Sequence, residues 1–221
     1  MRQPFRTIQQ YVLDTLRAEI LNGAYPPNTR LRQEEIAKRL SVSTTPVREA
    51  FRDLRAEGLV SIDPNKGVVT RALTAADVSE IYELRMVLEP MLAERACTHT
   101  SDADLAAAKK VHEQMCATSS SETWAVLNVD FHKHLMAGAS GTRLAELVEG
   151  LSVVARPYVS LSMHVKNNIL DSNNREHADL LDAYRARDTH AVHAQTRVHL
   201  ENTRDAIVAC VGLASPPQAA A

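Results

Sequence analysis

Apolar positions recur at helical spacing along most of this chain, with one short interruption. Ile8, Val12, Leu16 and Ile20 repeat at i+4, with Tyr11 and Leu13 beside them, which predicts a helix over 6–22 stopped by Gly23. A shorter amphipathic segment, 33–40, turns Ile36, Ala37 and Leu40 inward. Ser41, Val42 and Ser43 break it. A second helix then opens at Thr44-Thr45-Pro46, with Thr45 as the expected N-cap and Pro46 as the first helical residue. Val47, Phe51 and Leu54 form its apolar face. The pattern next becomes β-like over 59–62 and 67–70, joined by Asp63-Pro64-Asn65-Lys66, and 29–31 is a candidate extra strand. Helix, tight turn, helix and hairpin, in that order, predict a winged helix-turn-helix.

From Ala75 onward the pattern is helical throughout. Thr74 is the expected N-cap, with Asp77 in the first turn. Helices are predicted over 75–98, 102–117, 122–139, 143–166 with a bend at Pro157, 175–187 and 189–211. Six amphipathic helices make an antiparallel bundle. The expected fold class is mainly α: a winged helix-turn-helix DNA-binding domain at 1–72, an all-α antiparallel bundle for effector binding and dimerisation at 73–213, and a disordered Pro/Ala-rich tail at 214–221.

Net charge sharpens this division. The whole chain carries −2, but 1–72 holds twelve Lys and Arg against eight Asp and Glu, while the remainder holds thirteen against nineteen. A basic head on an acidic body fits a DNA-binding module with a separate sensor. Three scattered cysteines form no CxxC pattern and are expected to be reduced thiols. No apolar run approaches the ~18 residues of a membrane span. The N-terminus lacks an apolar signal core, so a cytoplasmic protein with no membrane partner is expected. No phosphate loop, nucleophile elbow or HExxH occurs, so an enzyme is not expected.

On the second helix Arg48, Arg52 and Arg55 fall at i, i+4 and i+7. Glu49, Asp53 and Glu57 occupy another sector. Such a helix can lie in the major groove, its hydroxyls and arginines reaching phosphates and base edges. Its bland alternative is a solvated face with local ion pairs. Lys66 and Gly67 at the hairpin tip suit close approach to a phosphate backbone.

All nine histidines follow residue 98. His177 lies at the centre of an apolar stripe with Leu180, Leu181 and Tyr184. His199 shares a face with Val192, Thr203, Ala206 and Cys210. Two i, i+4 pairs compete on the helix between: Asn128/His132 and Asp130/His134. Asn128, His132, His177 and His199 could converge on one divalent metal, with zinc expected first and nickel or manganese as alternatives. Spacing alone favours three separately hydrogen-bonded core histidines. Trp124, Tyr158 and Tyr184 read as core residues.

Residues 6–72 resemble the N-terminal domain of the GntR family of bacterial transcription regulators. The string LRQEEIAKRLSVSTTPVREA carries the resemblance, followed by LxxEGLV and a Gly-containing wing. It implies that Arg32, Thr45 and Arg48 contact DNA, with Gly67 in the wing; the full expected DNA-binding set is Arg32, Thr44, Thr45, Arg48, Arg52, Lys66 and Gly67. The family commonly has Arg where this chain has Thr44, which cannot read guanine bidentately.

Residues 75–211 resemble the ligand-binding domain of the FadR-like branch of that family. IYELRMVLEP at 81–90, NVDFHKHL at 128–135 with Ala-Ser-Gly at 139–141, and REHADLLDA at 175–183 carry this second resemblance. It implies a metal held by Asn128, His132, His177 and His199, with a small carboxylate bound at or near it. The branch has Asp or Asn at this position; Asn128, unlike an Asp, would leave the ion's charge for an anionic ligand to balance. Arg85 matches a family Arg that can face the cavity, its alternative being an i+4 pair with Glu89. The expected function is a homodimeric, ligand-responsive regulator, a repressor, on palindromic operator DNA. The alternatives are a metal-dependent hydrolase-like body or a regulator responding to the metal alone.

Overall fold

The first helix of the computed structural model, α1 (Ile8–Leu21), buries Val12, Leu13, Leu16 and Ile20, the i+4 stripe of the sequence. The structure describes residues 7–21, 24–71, 74–163 and 169–214. They divide into two compact units, Met1–Leu73 and Thr74–Ala221.

In the first unit α1 packs on α3 (Thr44–Ala56), which buries Val47, Ala50, Phe51 and Leu54; α2 (Gln33–Arg39) adds Ile36 and Ala37. Full burial of such aliphatic side chains is worth about 1.5–3 kcal/mol each. The turn between α2 and α3 is a Schellman motif. Ser41 takes φ 55°, the Val42 N–H donates to Ala37 O at 3.0 Å, and the Ser41 N–H donates to Lys38 O at 3.3 Å. Gly58, at φ 73°, closes α3 the same way, with the Leu59 N–H donating to Leu54 O at 2.9 Å. The expected start of α3 is corrected by two residues. Ser43 is the N-cap, Thr45 is inside the first turn, and Pro46 is the third helical residue. Pro is tolerated there because the first four helical N–H groups have no intrahelical partner.

β1 (Val60–Asp63) and β2 (Gly67–Thr70) pair antiparallel, from Val60 opposite Thr70 to Asp63 opposite Gly67. The expected third strand is a single bridge of Arg30 to Val69, flanked by Leu31 N–H to Val68 O at 2.9 Å and Thr70 N–H to Thr29 O at 3.0 Å.

The second unit's described residues form α4 (Ala75–His99), α5 (Asp102–Ala117), α6 (Ser121–Leu135), α7 (Arg143–Met163), α8 (Ile169–Arg185) and α9 (Thr189–Ala214). α4 packs on α7 and α9, α5 on α6 and α8, and α8 on α9. Their apolar faces meet around Met115, Trp124, Phe131, Leu135, Tyr184 and Val192. Thr74 caps α4 as expected, in a capping box with Asp77. No described helix is long and apolar enough to cross a membrane.

Three expected boundaries move. α6 ends at Leu135 and a 3₁₀ turn spans Ala137–Ala139, where one continuous helix to Ala139 was expected. The cause is a close approach: a Cβ on Gly138 would lie 2.3 Å from the Thr100 nitrogen. The Thr100 hydroxyl reaches Leu135 O at 2.8 Å and accepts the Gly138 N–H at 3.1 Å. α8 begins by Ile169 rather than at Arg175, because Asn173 is buried and Asn174 has tertiary partners. α7 runs through Pro157 to Met163, and α9 continues to Ala214. The expected helix end at 164–166 and the tail at 215–221 lie outside the described residues.

Candidate functional site

The acidic sector of α3 turns towards α1. Gln9 Nε2 donates to Asp53 Oδ2 at 3.1 Å, and Arg17 Nε donates to the buried Glu57 at 2.8 Å. This leaves the arginine edge outward: the side chains of Arg48 and Arg52 are 66% and 72% exposed, and Thr44 and Thr45 are exposed beside them. Arg52 pairs with Glu49 at 2.9 Å and Arg32 with Glu35 at 3.0 Å, both at exposed positions where such pairs contribute about 0–1 kcal/mol. Neither pair therefore prevents these guanidiniums from reaching a phosphate.

The wing tip is built by Asp63, whose Oδ1 accepts the N–H groups of Asn65 and Lys66, both at 2.8 Å. Those two bonds hold the Asp63 carboxyl below its ordinary range. Gly67 has φ 76° and open space around it, so its conformation, not a crowded neighbour, is what requires glycine. Arg30, Arg32, Gln33, Phe51, Lys66 and Gly67 line a cleft between the wing and α2.

In the second unit three histidines from three helices meet. One ring nitrogen each from His132 (α6), His177 (α8) and His199 (α9) lies within 4.8 Å of the others. His177 is fully buried, and neither of its ring nitrogens has a hydrogen-bond partner; Asn128 Oδ1 is also buried without one. Burial, reinforced by the neighbouring His199 and Arg85 charges, pushes the His132 imidazole down to about 3. Burial, then His199, His132 and His112, lowers His177 well below its ordinary value. Both rings are therefore neutral, the form that ligates metals.

His199 differs: its Nδ1 is 2.7 Å from Glu176 Oε2, while Glu176 Oε1 accepts from Asn202 Nδ2 at 2.7 Å. Burial opposes the charge on Glu176, but these bonds outweigh it and hold the carboxyl below its ordinary range. An ionised carboxylate only accepts, so Nδ1 of His199 donates to Glu176 and Nε2 is the ring nitrogen left to face a ligand. Trp124 stacks on His177 at 5.7 Å between centroids and donates Nε1–H to Asn174 at 2.8 Å; Phe131 closes another side at 4.8 Å. Unpartnered nitrogens, an unpartnered amide oxygen and neutral rings make a donor set that fits a divalent ion.

Residues 80–202 match the FCD domain, and residues 8–69 match the bacterial regulatory proteins of the gntR family. The chain belongs to the GntR family. It is a transcription regulator with an FCD domain, not an enzyme. It is 27% identical to the HTH-type transcriptional repressor GlaR of Escherichia coli, over 84% of this chain and 89% of that one. It is 28% identical to a probable D-xylose utilization operon transcriptional repressor of Paenarthrobacter nicotinovorans, over 86% and 84%. The solved structure of E. coli McbR/YncC shares the fold, with a TM-score of 0.71 at 23% identity over 91% of this chain and 97% of that one.

Within this GntR-family chain, the competing i, i+4 pairs of α6 separate clearly. Asn128 Oδ1 is buried and His132 joins the cluster, whereas Asp130 is exposed and His134 lies 3.7 Å from Asp104. Arg85 lies inward, over the Tyr82 ring at 4.6 Å, with Nε 2.6 Å from Glu89 Oε1. The Glu89 pair anticipated as its alternative is thus formed, and Ser152 reaches the same carboxylate at 3.5 Å. Tyr158 and Tyr184 are core, as expected; Trp124 is core and also a wall of the histidine cluster. Glu176 was not anticipated. Its one sequence signal is its place beside His177 on a helix facing His199.

Proposed function

We propose that the chain is a homodimeric, cytoplasmic repressor whose FCD domain holds a divalent metal and a small organic acid that together modulate operator binding. The observation that carries this reading is the convergence of His132, His177 and His199 within 4.8 Å, beside buried unpartnered nitrogens of His177 and the orphaned Asn128 oxygen. Asn128, His132, His177 and His199 would hold the ion, zinc first, with nickel or manganese as alternatives. A bound ion there supplies Lewis-acid attraction for a carboxylate. Glu176 fixes the His199 tautomer, and its carboxylate provides the charge that Asn128 lacks. Arg85 is proposed as a second contact for the acid, in competition with Glu89.

In the head, Arg32, Thr44, Thr45, Arg48 and Arg52 are proposed to meet the operator from α2 and α3, with Lys66 and Gly67 meeting it from the wing. Two heads on a two-fold axis would read a palindromic site. An acid that binds one arrangement of the heads better than another shifts operator affinity, and operator DNA shifts acid affinity by the same factor. Repression is the direction proposed because two named relatives are repressors.

The test measures operator affinity of metal-loaded protein against a panel of sugar acids, hydroxy acids and dicarboxylates. At least one acid is expected to weaken operator binding by 5-fold or more, on the order of ordinary allosteric coupling. DNA release by chelator alone, with no effect of any acid, would favour the metal itself as effector.

A further inference from the structure

His177 and His199 are held in different ways. His199 has Glu176 behind it, with Nδ1 2.7 Å from the carboxylate. His177 is fully buried, and among the described residues neither of its ring nitrogens has a hydrogen-bond partner. A metal-ligating imidazole ordinarily takes its orientation from a hydrogen bond on its other nitrogen. For His177 that orientation has to come from packing.

Trp124 of α6 supplies it. Its indole lies nearly parallel to the His177 ring, with 15° between the planes and 5.7 Å between centroids, within the range of an offset stack. Phe131, two turns further along α6, meets the same imidazole at 4.8 Å and 39°. The indole is itself fixed at its edge, where Nε1–H donates to Asn174 Oδ1 at 2.8 Å. Asn174 precedes His177 by one turn of α8. Its backbone oxygen accepts from His112 Nε2 of α5 at 2.9 Å. Trp124 is therefore pinned by the same helix whose histidine it covers.

We propose that Trp124 is a positioning residue for His177, standing in for the missing hydrogen bond and favouring the metal-bound form of the ring. The second part follows from charge. A divalent ion draws electron density from the imidazole that ligates it. A positively polarised group over an aromatic face is attracted by the ring's quadrupole, most strongly by that of Trp. The stack thus stabilises His177 more with an ion bound than without one. Trp124 acts through His177 and is not itself a ligand. This inference rests on the proposed metal centre and goes beyond it by naming what aims the His177 ring.

Two measurements on the full chain test it. In the metal-free protein, NMR of the imidazoles reads the stack itself: the indole ring current shifts the His177 ring protons upfield in wild type, and Trp124→Leu loses the shift. Zinc affinity, measured by chelator competition, reads the consequence. Trp124→Leu is expected to weaken binding about tenfold, the lower end of the usual cost of losing an outer-layer partner. Trp124→Phe keeps an aromatic face and is expected to stay within about threefold of wild type. Asn174→Ala unpins the indole without removing it, and is expected to cost about threefold; it carries the test if Trp124→Leu does not fold. Circular dichroism checks the helix content of each variant. A folded Trp124→Leu that binds zinc like wild type, a Trp124→Phe as weak as Trp124→Leu, or an unchanged affinity in Asn174→Ala would overturn the proposal. A wild type with the upfield-shifted His177 ring but no zinc uptake would overturn the metal centre itself and leave the stack as core packing.

Discussion

Glu176 Oε2 lies 2.7 Å from His199 Nδ1, which joins a carboxylate on α8 to the α9 histidine of the cluster. The contact does two things. It turns Nδ1 of His199 to the carboxylate and so leaves Nε2 as the atom that would coordinate an ion, with a negative charge placed behind it. For a metal held there, the charge compensation that an Asp at position 128 would give would come from one layer further out.

Glu176→Ala should therefore weaken metal binding by about 10–100-fold, the usual cost of losing such a partner. Competition with a chromophoric chelator measures it. Asn202→Ala, which removes only the other partner of Glu176, should cost far less. Equal losses in the two variants would mean that Glu176 merely ties α8 to α9.

Asn128→Asp should raise metal affinity when no organic acid is present and reduce the gain that an acid brings. The added carboxylate supplies charge and a ligand that the acid otherwise provides. Calorimetric titration of metal with and without the acid separates the two. An unchanged acid dependence would remove charge balance from the explanation.

The metal-free protein should lose stability as pH falls. The native state holds His132 at about 3 and His177 well below its ordinary value, whereas unfolded histidine titrates near 6.5. Between about 6.5 and 3 the unfolded chain binds protons that the native state refuses, so this stability is present above about 6.5 and is lost below it. Denaturant midpoints of chelator-treated protein at about pH 8 and pH 5 should differ more in wild type than in His132→Ala. Identical differences would show that His132 is not held neutral.

Arg48→Ala should weaken operator binding by at least ~1 kcal/mol if the guanidinium reaches a base. Lys66→Ala should weaken binding evenly across operator sequences and flatten its salt dependence by about one contact. Fluorescence anisotropy at several salt concentrations distinguishes them. Equal sequence dependence in both variants would remove Arg48 from base reading.

The head was legible because its signals are local. Gly58, the wing tip and the apolar positions of α3 each act within a few residues. The start of α3 was misplaced because Ser43 and Thr45 are both good cap residues, and local sequence does not choose between them. The bundle's boundaries depended on distant partners. Gly138 ends the α6 region by meeting the Thr100 backbone, and Asn173-Asn174, just before the expected helix start at Arg175, are held in α8 with Trp124 and His112 as partners of Asn174. The same limit governed the cluster. Periodicity turned His177 and His199 inward but left two pairs open on α6, and only packing buries Asn128 while exposing Asp130. Glu176 was invisible for the same reason, since its partners His199 and Asn202 come from another helix.

The most direct test is stoichiometric metal binding by chelator-stripped protein, read by calorimetry and elemental analysis, for wild type, His132→Ala and His199→Ala. The histidine-centre account predicts one zinc ion per wild-type chain and at least about a tenfold loss of affinity in each variant that keeps its helix content. No uptake by wild type, or uptake equal in all three proteins, would contradict it.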